Sequence, residues 1–525
     1  MAPDCARGRG PHDPEAVVSV TPIDVEAGPA AEARDLSTFG YGQQLRRKIG
    51  SYGSFAAGFS FVSILTTVFQ LFFFGFGFGG PAFFWTWPIV LIGQLLVALC
   101  FAELAARYPI SGAIYQWATR LGGRIWGWTA GWLMMVAQVV TLAGAAIALQ
   151  VVLPPVWSGF QLVPGDSSLT SPTGAANAVV LGVLLLCVTT AVTATGVRLM
   201  SVINSVGVTC ELVGVALLCV ALFSHAERGP EVVLQAQGTA GHSYLWAFAV
   251  SGLMAAYVLV GFDSAGELSE ETRDPRRTTP RTIVRAVLVS GLGGALMLLA
   301  TLMAAGSVTD GSLGDPARGL PFVLTDRLGE TLGRVFLIDV AIAVSVCTLA
   351  IQTAATRMVF SMSRDGVLPF SAGLATVNRR TGTPVRASVL VGVLAAALLL
   401  VNVGNPALFT TIASVCIMLL YLAYLMVTLP LLVRRLRGGL PARAGEFSLG
   451  RWGVVVNVLA VAWGALMAVN LGWPRAEVFD PAGGHLYLQW FAPLFLIGAL
   501  AVGALAYLAR TRRPAVVTLA LDGAE

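Results

Sequence analysis

"YVLVGFDSAGELSEETRDP", Tyr257 to Pro275, is the stretch whose reading decides the fold. It opens as an apolar run fit for a lipid bilayer. Gly261 and Asp263 then interrupt it where a spanning helix should be most apolar, and Glu267, Glu270 and Glu271 follow at helical spacing. A charge at membrane depth costs at least ~2.5–3.5 kcal/mol on insertion scales, so Asp263 is expected to face a cavity or a partner. A glycine two residues before it predicts a helix that breaks here and resumes toward the acids.

The rest of the chain places that break in a membrane. Of 525 residues, 56% are hydrophobic and only 12% charged, whereas soluble domains carry about 25% charge. The apolar residues fall in blocks of about 20, the length that crosses ~30 Å of hydrocarbon as a helix. Twelve spans are predicted: 51–78, 83–106, 126–150, 176–197, 201–223, 245–268, 282–306, 334–360, 387–403, 407–433, 452–473 and 487–510. The predicted class is therefore an all-α polytopic membrane protein. Residues 1–45, rich in Pro, Gly, Ala and acids, are expected to form a disordered tail, and 511–525 a short C-terminal one. Residues 46–433 hold the first ten spans and 434–510 the last two.

Charge orients the bundle. Lys48 and most arginines fall in the segments before span 1, after every even-numbered span and before every odd-numbered one. Only Arg228, Arg318, Arg327, Arg334 and Arg475 lie in the loops on the other side. The positive-inside rule then puts both termini in the cytoplasm; the expected location is the plasma (cell) membrane. The same topology explains the net charge of +5 without nucleic acid, since no basic stripe is interleaved with exposed aromatics. None of the seven cysteines forms a CxxC pair, and the four histidines sit in the tail or loops. No metal centre, cofactor or catalytic triad is expected, and the chain is not read as an enzyme. "FQLFFFGFGFGG", Phe69–Gly80, lacks the strand and aqueous phosphate site of a nucleotide loop and is read as a closely packed helix end.

A second interruption lies in span 1, where Ser60, Ser63, Thr66 and Thr67 collect at mid-span. Such hydroxyls also bond back to their own helix or to a neighbour. Spans 1 and 6, however, are five apart, so their interruptions correspond if spans 1–5 and 6–10 are two five-helix repeats. An odd number of helices per repeat makes the repeats inverted, and paired interruptions of this kind point to a transporter's midplane site.

Three stretches carry a family likeness: "FAELAARYPISGAIYQWATRLGGRIWGWTAGW" at 101–132, "GFDSAGELSEETRDPRRTTPRTI" at 261–283, and "TRMVFSMSRDGVLP" at 356–369. Over about residues 45–510 the chain resembles the amino acid–polyamine–organocation (APC) superfamily of secondary transporters, most closely its amino acid/choline transporter branch. The resemblance implies a 5+5 inverted-repeat core with helices 1 and 6 unwound at the midplane, plus two extra C-terminal helices. It also implies amino acids, polyamines, choline or related amines as substrates. Many of its amino acid carriers break span 1 at glycines. Here the equivalent stretch is Val62-Ser63-Ile64-Leu65-Thr66, which leaves γ-amino acids and choline open beside α-amino acids.

The expected substrate site lies between the two breaks, against Ser63, Ile64, Leu65, Thr66, Tyr257, Gly261, Phe262 and Asp263. Asp263 would meet an ammonium or a coupling proton, or else brace the break. Tyr257, one turn earlier, matches an aromatic that caps the substrate in the resembled family. Glu211 is the acid of an otherwise neutral span 5. It falls where some proton-linked members of the resembled family keep a lysine, and is expected to carry the coupling proton, to compensate a substrate cation, or to be a hydrogen-bonded contact between helices. Glu270, Glu271, Arg276 and Arg364 are expected at the inner gate. The predicted function is a secondary permease for an amino acid or small organic amine, taken up with protons. A choline, polyamine or γ-aminobutyrate carrier and an exchanger are the alternatives, and a channel or sensor is the alternative of another class. The partners are the substrate, protons and the lipid bilayer; oligomeric state is not legible.

Overall fold

A computed structural model of the chain describes residues 36–169, 171–236, 243–309, 311–316, 318–404, 406–438, 446–479 and 486–510, and the side chains of 404–414 are outside that description. The segments read as tails, up to residue 35 and from residue 511, lie outside the described residues. Among the described residues the structure is all helix, apart from one isolated parallel bridge between Ile49 and Thr272. A bilayer interior offers no water to exposed peptide groups, so helices, which satisfy their own backbone, are the solution this composition allows.

Among the described residues, eleven helices are long and apolar enough to cross a membrane. Span 1 is Ser51–Val62 followed by Ile64–Gly79, and span 2 is Thr86–Arg107. A short helix, Ala113–Gly122, leads into span 3, Arg124–Val156. Span 4 is Pro172–Thr195, span 5 Val197–Ser224 and span 7 Pro275–Ala304. Span 8 is the latter part of Gly319–Arg364, which kinks at Gly329. Spans 9 to 12 are Val385–Gly404, Pro406–Leu436, Gly453–Gly472 and Phe491–Leu508. The twelfth predicted span, the sixth, is the divided one. Its first half, Tyr244–Val258, has 15 residues, too few to cross ~30 Å alone, and the chain turns before resuming at Ser264–Glu267.

Helix starts carry ordinary signals. The Ser171 hydroxyl accepts from the Gly174 N–H at 2.9 Å ahead of Pro172, and Pro275 opens span 7, where its missing N–H costs nothing. Spans 2 and 7, 3 and 8, and the halves of 1 and 6 pack against each other, the pairing expected of two five-helix repeats. Without water to drive association, small residues let these helices approach. Gly291 and Gly294 of span 7 receive Leu91 and Trp87 of span 2, and the Trp87 indole N–H donates to the Gly291 carbonyl at 2.7 Å. Leu199, Val202, Val206, Val213, Leu217 and Val220 form an exposed apolar stripe along span 5, a face for lipid.

Candidate functional site

The span 1 break is a single residue. Ser63 takes the left-handed conformation, φ 34° and ψ 88°, and so caps Ser51–Val62 and precedes Ile64–Gly79. A residue with a β-carbon pays about 1–2 kcal/mol for that conformation, so the surroundings must hold it. They do so through hydroxyls and one carboxylate. The Ser63 and Thr66 hydroxyls meet at 2.6 Å. Ser63 Oγ donates to Glu211 Oε1 at 3.0 Å, and the Leu65 N–H donates to the same oxygen at 3.1 Å.

Ser63 makes no capping bond of its own to the half-helix it precedes; Glu211 of span 5 supplies the acceptor instead. A carboxylate at a helix N-terminus satisfies a free N–H and complements the positive end of the helix dipole. Glu211 is 1% exposed, and its second oxygen, Oε2, is buried without a hydrogen-bond partner among the described residues. One turn on, a β-carbon at Gly214 would run into the Asp339 carboxylate of span 8. That glycine therefore makes room for a second acid between spans 5 and 8.

The span 6 break is wider. After Val258 the chain leaves the helix, and Gly261 sits at φ 88°. A β-carbon there would collide with the Phe61 ring, so the two breaks touch through a position that only glycine fits. Tyr424 of span 10 ties the break from the other side. Its hydroxyl accepts from the Gly261 N–H at 2.9 Å and donates to Asp263 Oδ1. Lower down, Ser264 Oγ donates to the Ala57 carbonyl at 3.1 Å, pinning the inner halves of spans 1 and 6 together.

Asp263 is fully buried, and among the described residues its Oδ2 has no partner. Glu267, one turn further, is equally buried; Gln138 of span 3 donates to its Oε1 at 2.8 Å, while Oε2 likewise has no partner among the described residues. Two buried carboxylates thus each keep a free oxygen beside the break. Such groups are stable only when something else neutralises or bonds them.

The expected substrate residues separate into two groups. Ser63, Leu65 and Thr66 meet Glu211 or one another, and Gly261 and Asp263 meet Tyr424, all around the breaks. Ile64 instead points toward Gly293 of span 7. Phe262 packs its ring against Phe101 and Tyr424, at centroid distances of 6.0 and 5.5 Å. Tyr257 lines an apolar cavity toward the other end of the bundle, with Leu71, Phe74, Met254, Ile417 and Phe479.

The acids after the break are locked by span 8. Arg357 holds Glu271 with two bonds, Nε to Oε1 at 2.9 Å and Nη2 to Oε2 at 3.2 Å, and both side chains are buried. Arg364 holds Glu270 in the same way at 3.1 and 2.9 Å, and the Ser111 N–H adds a third bond to that carboxylate at 3.0 Å. Arg276 does not join them. It pairs with Glu446 and donates to the Ala106 carbonyl at 2.9 Å.

Within the segment read as tail, residues 36–45 are described, and Leu36, Tyr41 and Leu45 are buried, Leu36 and Tyr41 packing with Ile110. Tyr41 donates to Asp365 at 2.9 Å and lies 4.0 Å under the Arg364 guanidinium. Burial, reinforced by the Asp365 charge, pushes its phenol up to about 12. Gln43 donates to the Glu270 carbonyl at 3.1 Å, and Ile49 exchanges backbone bonds with Glu271 and Arg273 at 2.9 Å each. This face of the bundle is closed by two buried ion pairs and the lead into span 1.

Three participants were not singled out from sequence, Tyr424, Arg357 and Tyr41, and Glu267 was noted among the acids behind the break without a role of its own. Arg357 carries a visible signal, a guanidinium inside the apolar run "TLAIQTAATRMVF" that demands an acid. Glu267 lies four residues from Asp263 and so on its helical face. Tyr424 carries no local signal.

A family model described as amino acid permease matches residues 48–502. An amino-acid permease BAT1 homolog of Oryza sativa subsp. japonica is 28% identical, over 86% of this chain and 90% of the relative. The amino-acid permease BAT1 of Arabidopsis thaliana is 27% identical, over 84% and 88%. Amino-acid permease 2 of Neurospora crassa is 25% identical, over 85% and 82%.

Proposed function

The chain belongs to the amino acid permease family, and from that premise we propose that it is a proton-coupled secondary carrier working by alternating access. It is a multi-pass membrane protein and an amino acid transporter, of a family of permeases and not of enzymes. In this reading it sits in the plasma membrane with both termini in the cytoplasm, as the distribution of arginines favours. Substrate occupies the space between the breaks of spans 1 and 6, bounded by Ser63–Thr66 on one side and Gly261–Asp263 on the other.

The observation that supports coupling is the Glu211 cap on the Ile64–Gly79 half-helix. An ionised Glu211 holds the break against span 5. On protonation the pairing with the half-helix N-terminus loses its charge, a change of up to ~2 kcal/mol in partly buried settings. That is roughly thirtyfold in the balance of two conformations, enough to bias a carrier whose states are separated by a few kcal/mol. Substrate and proton then act on the same joint, because the cap and the substrate-facing backbone belong to one turn of span 1.

A cationic amine is the second reading, favoured by Asp263 and Glu267, two buried carboxylates with free oxygens at the same break. Purified protein in proteoliposomes separates the two. Melting-temperature shifts against α-amino acids, γ-aminobutyrate, choline and polyamines name the substrate class. Uptake of the labelled hit under an acid-outside gradient then tests the carrier. Accumulation that collapses with a protonophore supports proton coupling. Equilibration without accumulation points to a channel or a uniporter.

A further inference from the structure

We propose that the chain carries a specific site for an anionic phospholipid headgroup where the lead into span 1, the start of span 5 and the loop after span 8 converge. Arg46, Lys48, Arg198 and Arg380 line one cleft of about 420 Å³. They come from three segments far apart in sequence, and among the described residues no acid lines the cleft with them. Among the described residues Lys48, Arg198 and Arg380 have no ion-pair partner. Arg46 reaches only a neutral one, the Arg379 carbonyl at 3.1 Å. A +4 cleft of this size, within the range of small-molecule sites, calls for an anion, and converging arginines suit the oxygens of a phosphate group.

The position selects a lipid over a free phosphate. The cleft opens at the end of a spanning helix, and its lining includes Leu199 and Val202, 46% and 52% exposed. These two begin the exposed apolar stripe that continues through Val206, Val213, Leu217 and Val220 to the far end of span 5. A headgroup in the cleft would thus have a continuous track for its acyl chains. Basic pockets between spanning helices at the membrane surface bind anionic headgroups on this principle. Occupancy would tie the segment entering span 1 to span 5, a few turns from the Glu211 cap.

The test is a titration of the full-length detergent-purified chain with phosphatidylglycerol, phosphatidylcholine, glycerol 1-phosphate and inorganic phosphate. Melting temperature and native mass spectrometry read binding. Saturable binding of phosphatidylglycerol, with the other three binding at least tenfold more weakly, is expected. The Lys48→Gln/Arg198→Gln/Arg380→Gln variant should lose about fivefold in affinity per charge removed. Arg198→Lys/Arg380→Lys should keep binding, and Arg451→Gln, at a basic residue that does not line the cleft, should be unchanged. If the triple variant does not fold, Arg198→Gln alone is read for its fivefold loss. Equal binding of phosphatidylcholine, undiminished binding in the charge-removed variants, or phosphate binding as tight as the lipid would each overturn the proposal.

Discussion

The carboxylate of Glu211 accepts the backbone N–H of Leu65 at 3.1 Å, so a side chain of span 5 caps a half-helix of span 1. The same oxygen takes the Ser63 hydroxyl at 3.0 Å, and Ser63 is the residue whose left-handed backbone makes the break. One ionisable group therefore holds both the end and the geometry of the unwound joint.

The Ser63 backbone yields the first prediction. Ser63→Ala and Ser63→Gly both lose the hydroxyl and its bonds to Glu211 and Thr66, but only glycine adopts φ 34° without strain. Ser63→Gly should be more stable than Ser63→Ala by about 1 kcal/mol, read as a higher denaturation midpoint in detergent. Equal midpoints would mean that the break does not rest on this residue's conformation.

Asp263 and Tyr424 can be separated by their roles. Tyr424→Phe leaves a buried N–H at Gly261 and a buried carboxylate without their partner, a loss of about 1–3 kcal/mol in stability. It should nevertheless keep a substrate-induced melting shift. Asp263→Asn should abolish that shift. A full shift in Asp263→Asn, with only a lower melting point, would reduce Asp263 to a brace.

The Glu271–Arg357 pair is buried on both sides, so removing one partner strands the other. Glu271→Gln should destabilise by about 3–5 kcal/mol, and Glu271→Leu/Arg357→Met should recover much of that loss. Surviving Glu271→Gln protein should also show faster modification, by an impermeant thiol reagent added on this side, of a cysteine placed at Ser264. No recovery in the double variant would show that the pair does more than neutralise itself.

Much of this was legible because the bilayer penalises exceptions so heavily. Asp263 and Glu211 stand out as acids in apolar runs, and hydroxyls at mid-span mark the first break, so the joints could be located from composition alone. What holds the joints could not be read so directly. Tyr424 lies 161 residues from Asp263 in sequence, and a tyrosine in an apolar helix has no signature until the fold brings it there. Arg357 announces that an acid must exist, but choosing Glu271 over its neighbours needs the packing of span 8. Phe262 reads as a wall for substrate, yet its ring joins Phe101 and Tyr424, which come from spans 2 and 10 and so meet it only in the fold. The anchoring of residues 36–45 was hidden by their polar, glycine-containing composition, since buried anchors as sparse as Leu36, Tyr41 and Leu45 leave no periodic pattern.

The central claim is that Glu211 links a proton to the span 1 joint, and Glu211→Gln tests it most directly. Glutamine keeps the shape and a carbonyl acceptor for the Leu65 N–H but cannot ionise. In proteoliposomes the variant should retain exchange of internal for external substrate while losing accumulation driven by an acid-outside gradient. Gradient-driven accumulation at the wild-type level in Glu211→Gln would contradict the account.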